Sequence, residues 1–156
     1  MSQSALVIVS GGQTGVDRGA LDAAIECGSP CRGWCPAGRR AEDGPIPAKY
    51  PLRELGSADY ADRTRANVRD SDGTLVLSFS RYGPGTQLTA DHARRLNRPL
   101  LNLDAEATEV ASAIDTILEF IARHRIGVLN VAGPRASEAP GAQAFARAVV
   151  TGILRA

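Results

Sequence analysis

The chain has 156 residues, 44% hydrophobic and 22% charged, which is the make-up of one ordinary globular domain and not of a disordered segment. Eighteen basic residues against 17 acidic leave a net charge of +1, so no overall field draws the chain to nucleic acid or to an anionic membrane. No run approaches the roughly 18 apolar residues of a membrane span and no leader pattern opens the sequence, so the expectation is a cytoplasmic protein.

"ALVIVS" (residues 5–10) is continuously apolar, as in a strand buried on both faces of a parallel sheet. It runs into "SGGQTGVDRGALDAA". Here glycines crowd a turn before a helix that buries Val16, Ala20, Leu21, Ala24 and Ile25. Gly28 reads as the stop after that helix, and "CRGWC" as a short second strand. Cys27, Cys31 and Cys35 are odd in number. Strand positions four apart lie about 13 Å apart, so the three read as reduced, packed cysteines with no metal assigned. Residues 36–56 are rich in Pro, Gly and charge, too long a stretch for an idle connector.

A polar helix follows, capped by Ser57 or Asp59. "GTLVLSF" is the next buried strand, ending in the turn "SRYGPGT". "TQLTADHARRLN" is helical, "PLLNL" is a strand, and Val110, Ile114, Ile117, Leu118 and Ile121 mark an amphipathic helix. "GVLNVAG" makes a fifth strand. The last helix has Pro140 in its first turn and an apolar face from Ala142 to Ile153. Strands and helices alternate throughout, which defines an α/β three-layer domain around a mainly parallel sheet of about five strands, spanning residues 1–156 as one unit.

In such sheets ligands bind beyond the carboxyl ends of the strands. Three turns stand there: Gly11-Gly12-Gln13-Thr14-Gly15, Gly83-Pro84-Gly85-Thr86 and Gly133-Pro134-Arg135. The first matches neither the dinucleotide glycine pattern nor the phosphate-loop lysine pattern. It still offers glycine backbone, Thr14 as an N-cap with Asp17 in a capping-box arrangement, and a helix start suited to an anion. Thr86 and, one turn on, Thr89 add hydroxyls. Arg135, with Arg39 or Arg40 from the long loop, would supply forked donors for an oxyanion. Asp17, Asp43 and Asp104 are the carboxylates expected to face the site, while His92 and His124 read as surface residues. Trp34, the single tryptophan, is read as core packing, with stacking on a flat ring as the alternative.

"SGGQTGVDRGALDAA", "GWCPAGRRAEDGPIPAKYPL", "RTRANVRDSDGTLVL", "GPGTQLTADHA" and "LNVAGPRASEAPG" together resemble the molybdenum carrier (molybdenum cofactor carrier) family of the SLOG superfamily, over residues 11 to 141. The resemblance implies a Rossmann-like fold and a homo-oligomer, dimer or tetramer. It also implies an anionic-ligand pocket for molybdenum cofactor, molybdate or a nucleotide-like molecule, with molybdoenzymes as the partners such a carrier would serve. The binding set is then Gly11, Gly12, Gln13, Thr14, Gly15, Asp17, Arg18, Arg63, Gly83, Pro84, Gly85, Thr86, Thr89, Gly133 and Arg135. The phosphoribohydrolases of the same superfamily are similar in layout, which leaves a nucleotide-directed enzyme as the alternative function. Thr89, however, stands where those enzymes carry a glutamate, and a threonine cannot serve as that carboxylate. No catalytic residue is assigned. A bare interaction module is the third reading.

Overall fold

A computed structural model describes residues 5–80 and 84–156. The apolar opening run forms β1 (Val7–Val9), and the glycine turn leads into α1 (Val16–Glu26). α1 closes at Gly28, whose φ of +66° is the left-handed conformation that ends a helix. The expected second strand divides into β2 (Cys31–Arg32) and β3 (Trp34–Cys35). The break falls at Gly33, where a Cβ would lie 1.9 Å from the Ser10 carbonyl oxygen. The strand therefore leaves the main sheet at the point where it presses on β1.

The Pro/Gly-rich stretch is ordered. After a single turn of 3₁₀ helix (Ala37–Arg39), β4 (Arg40–Ala41) pairs antiparallel with β5 (Gly44–Pro45). β6 (Arg53–Glu54) then pairs parallel with β3. Ile46, Tyr50 and Leu52 bury themselves with Leu21, Cys35 and Ala41 as a second small core. The Arg39 guanidinium donates to the carbonyls of Ile46, Pro47, Tyr50 and Leu52 at 2.8–3.3 Å. This arginine, expected at the ligand site, instead satisfies main-chain carbonyls that short strands leave unpaired. Arg40 likewise donates to Ala58 O and lies over the Tyr60 ring.

α2 (Tyr60–Arg69) is capped by Asp59, whose carboxylate accepts from the Ala61 amide at 2.9 Å. β7 (Gly73–Ser78), α3 (Pro84–Arg95), β8 (Leu100–Asp104), α4 (Val110–His124), β9 (Val128–Ala132) and α5 (Ala142–Leu154) complete the alternation. Pro140 falls just before the last helix and not in its first turn: Gly141, at φ +88°, makes the corner.

The main sheet runs β2-β1-β9-β7-β8, every pair parallel. Counted cyclically from β7, this is the doubly wound order 2-1-3-4-5, whose connections diverge between β7 and β9. α1, α4 and α5 pack together over one part of the sheet, and α2 packs with α3. Ile8, Leu75, Leu77, Leu129 and Val131 of the strands meet Val16, Ile117 and Val149 of the helices in the main core. No helix among the described residues is long and apolar enough to cross a membrane.

His92, read from the sequence as a surface residue, is buried at 4% exposure because α3 turns that face toward α2. Its Nε2 has no hydrogen-bond partner. Burial first, and the nearby Arg65 and Arg95 cations next, push its pKa below the ordinary 6.5.

Two outcomes follow from this packing. Leu129→Ala in the central strand should reduce unfolding free energy by about 2–5 kcal/mol in chemical denaturation. The depressed His92 pKa means the folded state binds fewer protons than the unfolded one. Stability should therefore fall as pH drops below about 6.5, and the fall should be shallower in His92→Leu.

Candidate functional site

β1 and β9 end side by side, and beyond them opens a cleft of about 210 Å³. Its floor is Asn130, Val131 and Ala132 of β9, and one side is Gly11 and Gln13. Tyr60, Arg63, Thr64 and Asn67 of α2 form a wall opposite Thr86, Leu88 and Thr89 of α3, while Gly133, Arg135 and Glu138 complete the rim. The opening borders the β7–β9 divergence, where doubly wound sheets hold ligands. Thr86 and Thr89 sit in the first turns of α3, so the positive end of that helix dipole faces the cleft.

Arg63 is the central cation. Its side chain is 10% exposed; Nη1 donates to Gly11 O at 3.2 Å and stands 3.6 Å from Asp17 Oδ2. The Tyr60 ring lies 5.5 Å from the guanidinium carbon. A Cβ on Gly11 would meet Arg63 Nη1 at 2.4 Å and Cδ at 2.5 Å. A side chain at position 11 would force Arg63 to move, because the arginine lies across the bare backbone. Asp17 is buried: desolvation raises its pKa, against the opposing pull of Arg63 and of the Gln13 and Gly11 amides.

Several amides of the first glycine turn are already used within the fold. The Gln13 amide donates to Asp17 Oδ2 at 3.2 Å, the Thr14 amide to Gln13 Oε1 at 3.1 Å, and the Val16 amide to Pro134 O at 3.2 Å. Thr14 is not the N-cap. That place belongs to Gly15, at φ +83°, where a Cβ would lie 2.4 Å from the Pro134 carbonyl oxygen. The Thr14 hydroxyl donates to Glu42 and accepts from the Ala136 amide. Glu42 also accepts from the Ser137 hydroxyl, and these hydrogen bonds lower its pKa against its desolvation. Gly12 packs under Ile46 and Leu52. Arg18 forms a forked pair with Asp43 at 2.6 and 2.8 Å and donates to Gly12 O, so it braces the turn and does not reach the cleft.

Of the fifteen sequence-derived binding residues, Gly11, Gln13, Asp17, Arg63, Thr86, Thr89, Gly133 and Arg135 line the cleft. Gly12, Thr14, Gly15 and Arg18 stand behind it as framework. Pro84 and Gly85 open α3, and Gly83 lies outside the described residues. Asp43 is taken by Arg18, and Asp104 folds onto the Glu106 and Ala107 amides. Tyr60, Thr64, Asn67 and Asn130 were not anticipated. The α2 members recur at helical spacing with Arg63, a polar stripe whose burial is the mark of a lined cavity. Among the described residues no group of three or more His, Cys, Asp or Glu side chains is placed to hold a metal ion.

This architecture defines a doubly wound α/β domain with a polar, arginine-bearing cleft at its topological switch. The chain belongs to the circularly permutated YpsA SLOG family, whose model matches residues 8–154. A crystal structure of a "putative molybdenum carrier protein" from Syntrophus aciditrophicus SB superposes with a TM-score of 0.93. It is 40% identical and covers 97% of this chain and 96% of its own. A comparison with curated proteins gives no match.

Gly11→Ala should dislodge Arg63 and cost about 1–3 kcal/mol of stability, the usual range for overpacking. Denaturant titration would read that loss. Gly56→Ala, where no atom lies within 4 Å of the added methyl and the backbone is not left-handed, provides the comparison for a methyl that meets nothing.

Proposed function

We propose that the chain is a molybdenum carrier whose cleft holds an oxyanion: molybdate itself, or the phosphate-bearing end of molybdenum cofactor. The observation that carries this reading is Arg63, a guanidinium buried in the cleft and only partly balanced by Asp17. Charge-assisted hydrogen bonds from such a group are about twice as strong as neutral ones. Thr86 and the start of α3 add neutral donors beside it, and Arg135 stands at the rim with its Nε on Glu138 at 3.2 Å. The name borne by the similar Syntrophus protein supports the same cargo. No thiol lines the cleft, so molybdenum would be held through its oxygens or through the cofactor's own groups, as cargo and not as a resident metal.

Protein purified from molybdate-supplied cells should carry molybdenum near one atom per chain by elemental analysis, with the matching mass in native mass spectrometry. Arg63→Gln should weaken molybdate binding about 10- to 100-fold, the equivalent of about 1.5–3 kcal/mol for hydrogen bonds to a charged group. Protein free of molybdenum that gives no calorimetric heat with molybdate would contradict the reading.

Asp17 gives the proposal a signed test. A negative charge beside Arg63 opposes an incoming anion, and its raised pKa means the proton is taken up above the ordinary carboxylate range. Asp17→Asn should therefore bind molybdate about tenfold more tightly near neutral pH, and the difference should shrink on acidification as the wild-type carboxyl protonates. Equal affinities at both ends of that pH range would remove Asp17 from the ligand's electrostatics.

A further inference from the structure

A second, smaller opening of about 110 Å³ adjoins the cleft through Asn67 and is lined by Arg32, Trp34, Arg53 and Asp70. It falls well below the roughly 300–1,000 Å³ of small-molecule sites, so it suits one side chain of a larger partner better than a free ligand. Its walls are fixed. Asn67 accepts from the Trp34 amide at 2.8 Å and donates to the Trp34 carbonyl at 3.0 Å. The indole Nε1 donates to Asp70 Oδ2 at 2.8 Å. Arg53 is the register partner of Trp34 in the β3–β6 pair, and its guanidinium lies over the ring at 5.0 Å from the centroid. A surface held in this way needs little further ordering when a partner lands on it.

Charge around this opening is unbalanced. Arg69 donates to both Asp70 oxygens at 2.8 and 3.0 Å, and Arg98 donates to the Arg69 carbonyl at 3.3 Å. Arg32, Arg53, Arg69 and Arg98 are all exposed, and Asp70, the one carboxylate in this chain of contacts, is already taken by Arg69 and Trp34. The Glu54 carboxylate, next to Arg53 in sequence, accepts from the Gly38 amide at 2.7 Å. Among the described residues none of Arg32, Arg53 and Arg98 is in an ion pair. The four arginines come from β2, β6, α2 and the turn after α3, so only folding gathers them, in a chain whose net charge is +1. An unpaired guanidinium presents a planar fork that fits a carboxylate. A nucleic acid would want open rings for its bases to stack on, and the one ring here already carries Arg53.

We infer that this face docks an acidic polypeptide segment of a partner protein, with one carboxylate entering the opening between Arg32 and Arg53 and another pairing with Arg98 beyond the Arg69–Asp70 pair. The surface lies beside the cleft, and the inference does not depend on what the cleft holds.

Trp34 is the only tryptophan, so its emission reports this surface directly. A glutamate-rich peptide, its glutamine counterpart and an oligothymidylate of equal charge would be titrated into the full chain. The acidic peptide should shift Trp34 emission saturably, and its affinity should fall about tenfold as added salt shortens the Debye length from about 30 to about 8 Å. Arg32→Gln combined with Arg53→Gln should weaken the peptide about tenfold. The denaturation midpoint should stay where it is, because both side chains are exposed and no ion pair is lost. Arg155→Gln, which removes an exposed charge at the end of α5, should leave the affinity within about twofold and so controls for net charge alone. Equal binding of the glutamine peptide, indifference to the paired substitution, or equally tight binding of the oligothymidylate would overturn the inference. Concentration-dependent self-association that shifts Trp34 emission without peptide would overturn it in favour of a second copy of the chain.

Discussion

An arginine lying across a glycine sets the chemistry of this protein. Arg63 reaches from α2 over the bare backbone of Gly11, donates to its carbonyl, and meets Asp17 from the start of α1. A side chain at position 11 would occupy the volume of the guanidinium arm. The sheet, the first helix and the second helix therefore converge on one ion pair, and the cleft is the space left around it. Burial makes the pair consequential. In a partly desolvated opening the guanidinium would act on the proposed anion through a much lower effective dielectric than at the surface.

The remaining turn residues hold this arrangement in place. Gln13, Thr14 and Glu42 tie the first glycine turn to the loop after β9, and Arg18 clamps Asp43 from the long segment. That segment is in turn anchored by the Arg39 fan of hydrogen bonds and by Tyr50 and Leu52 in the small core. The polar groups lining the cleft are thus carried largely on helices and strand ends, while the loops brace them from behind. Such support is what keeps a site within the geometric tolerance recognition needs.

Much of the fold was legible because its signals are local. Continuous apolar runs marked the parallel strands, period 3.6 marked the helices, and the alternation of the two implied the layers. The division of β2 from β3 was not legible: it depends on Gly33 pressing against Ser10, a contact between distant positions. The burial of His92 likewise comes from α2 packing on α3. The first and third turns follow β1 and β9, as expected, and the glycines at 11, 12 and 15 make room for the fold's own atoms. Glycine composition announces close approach without saying what approaches, and here the visitors are Arg63, Pro134, Ile46 and Leu52. The polar helix α2 carried the missed signal, since it turns Tyr60, Arg63, Thr64 and Asn67 to the cleft on one face.

The ion pair at Gly11 supports the proposed arrangement, a cleft whose buried cation would meet a ligand's negative charge. The most direct test is anomalous diffraction at the molybdenum edge from crystals soaked in molybdate. The account predicts a peak within hydrogen-bond reach of the Arg63 guanidinium, between α2 and the start of α3. A peak elsewhere on the surface, or none at saturating molybdate, would contradict it.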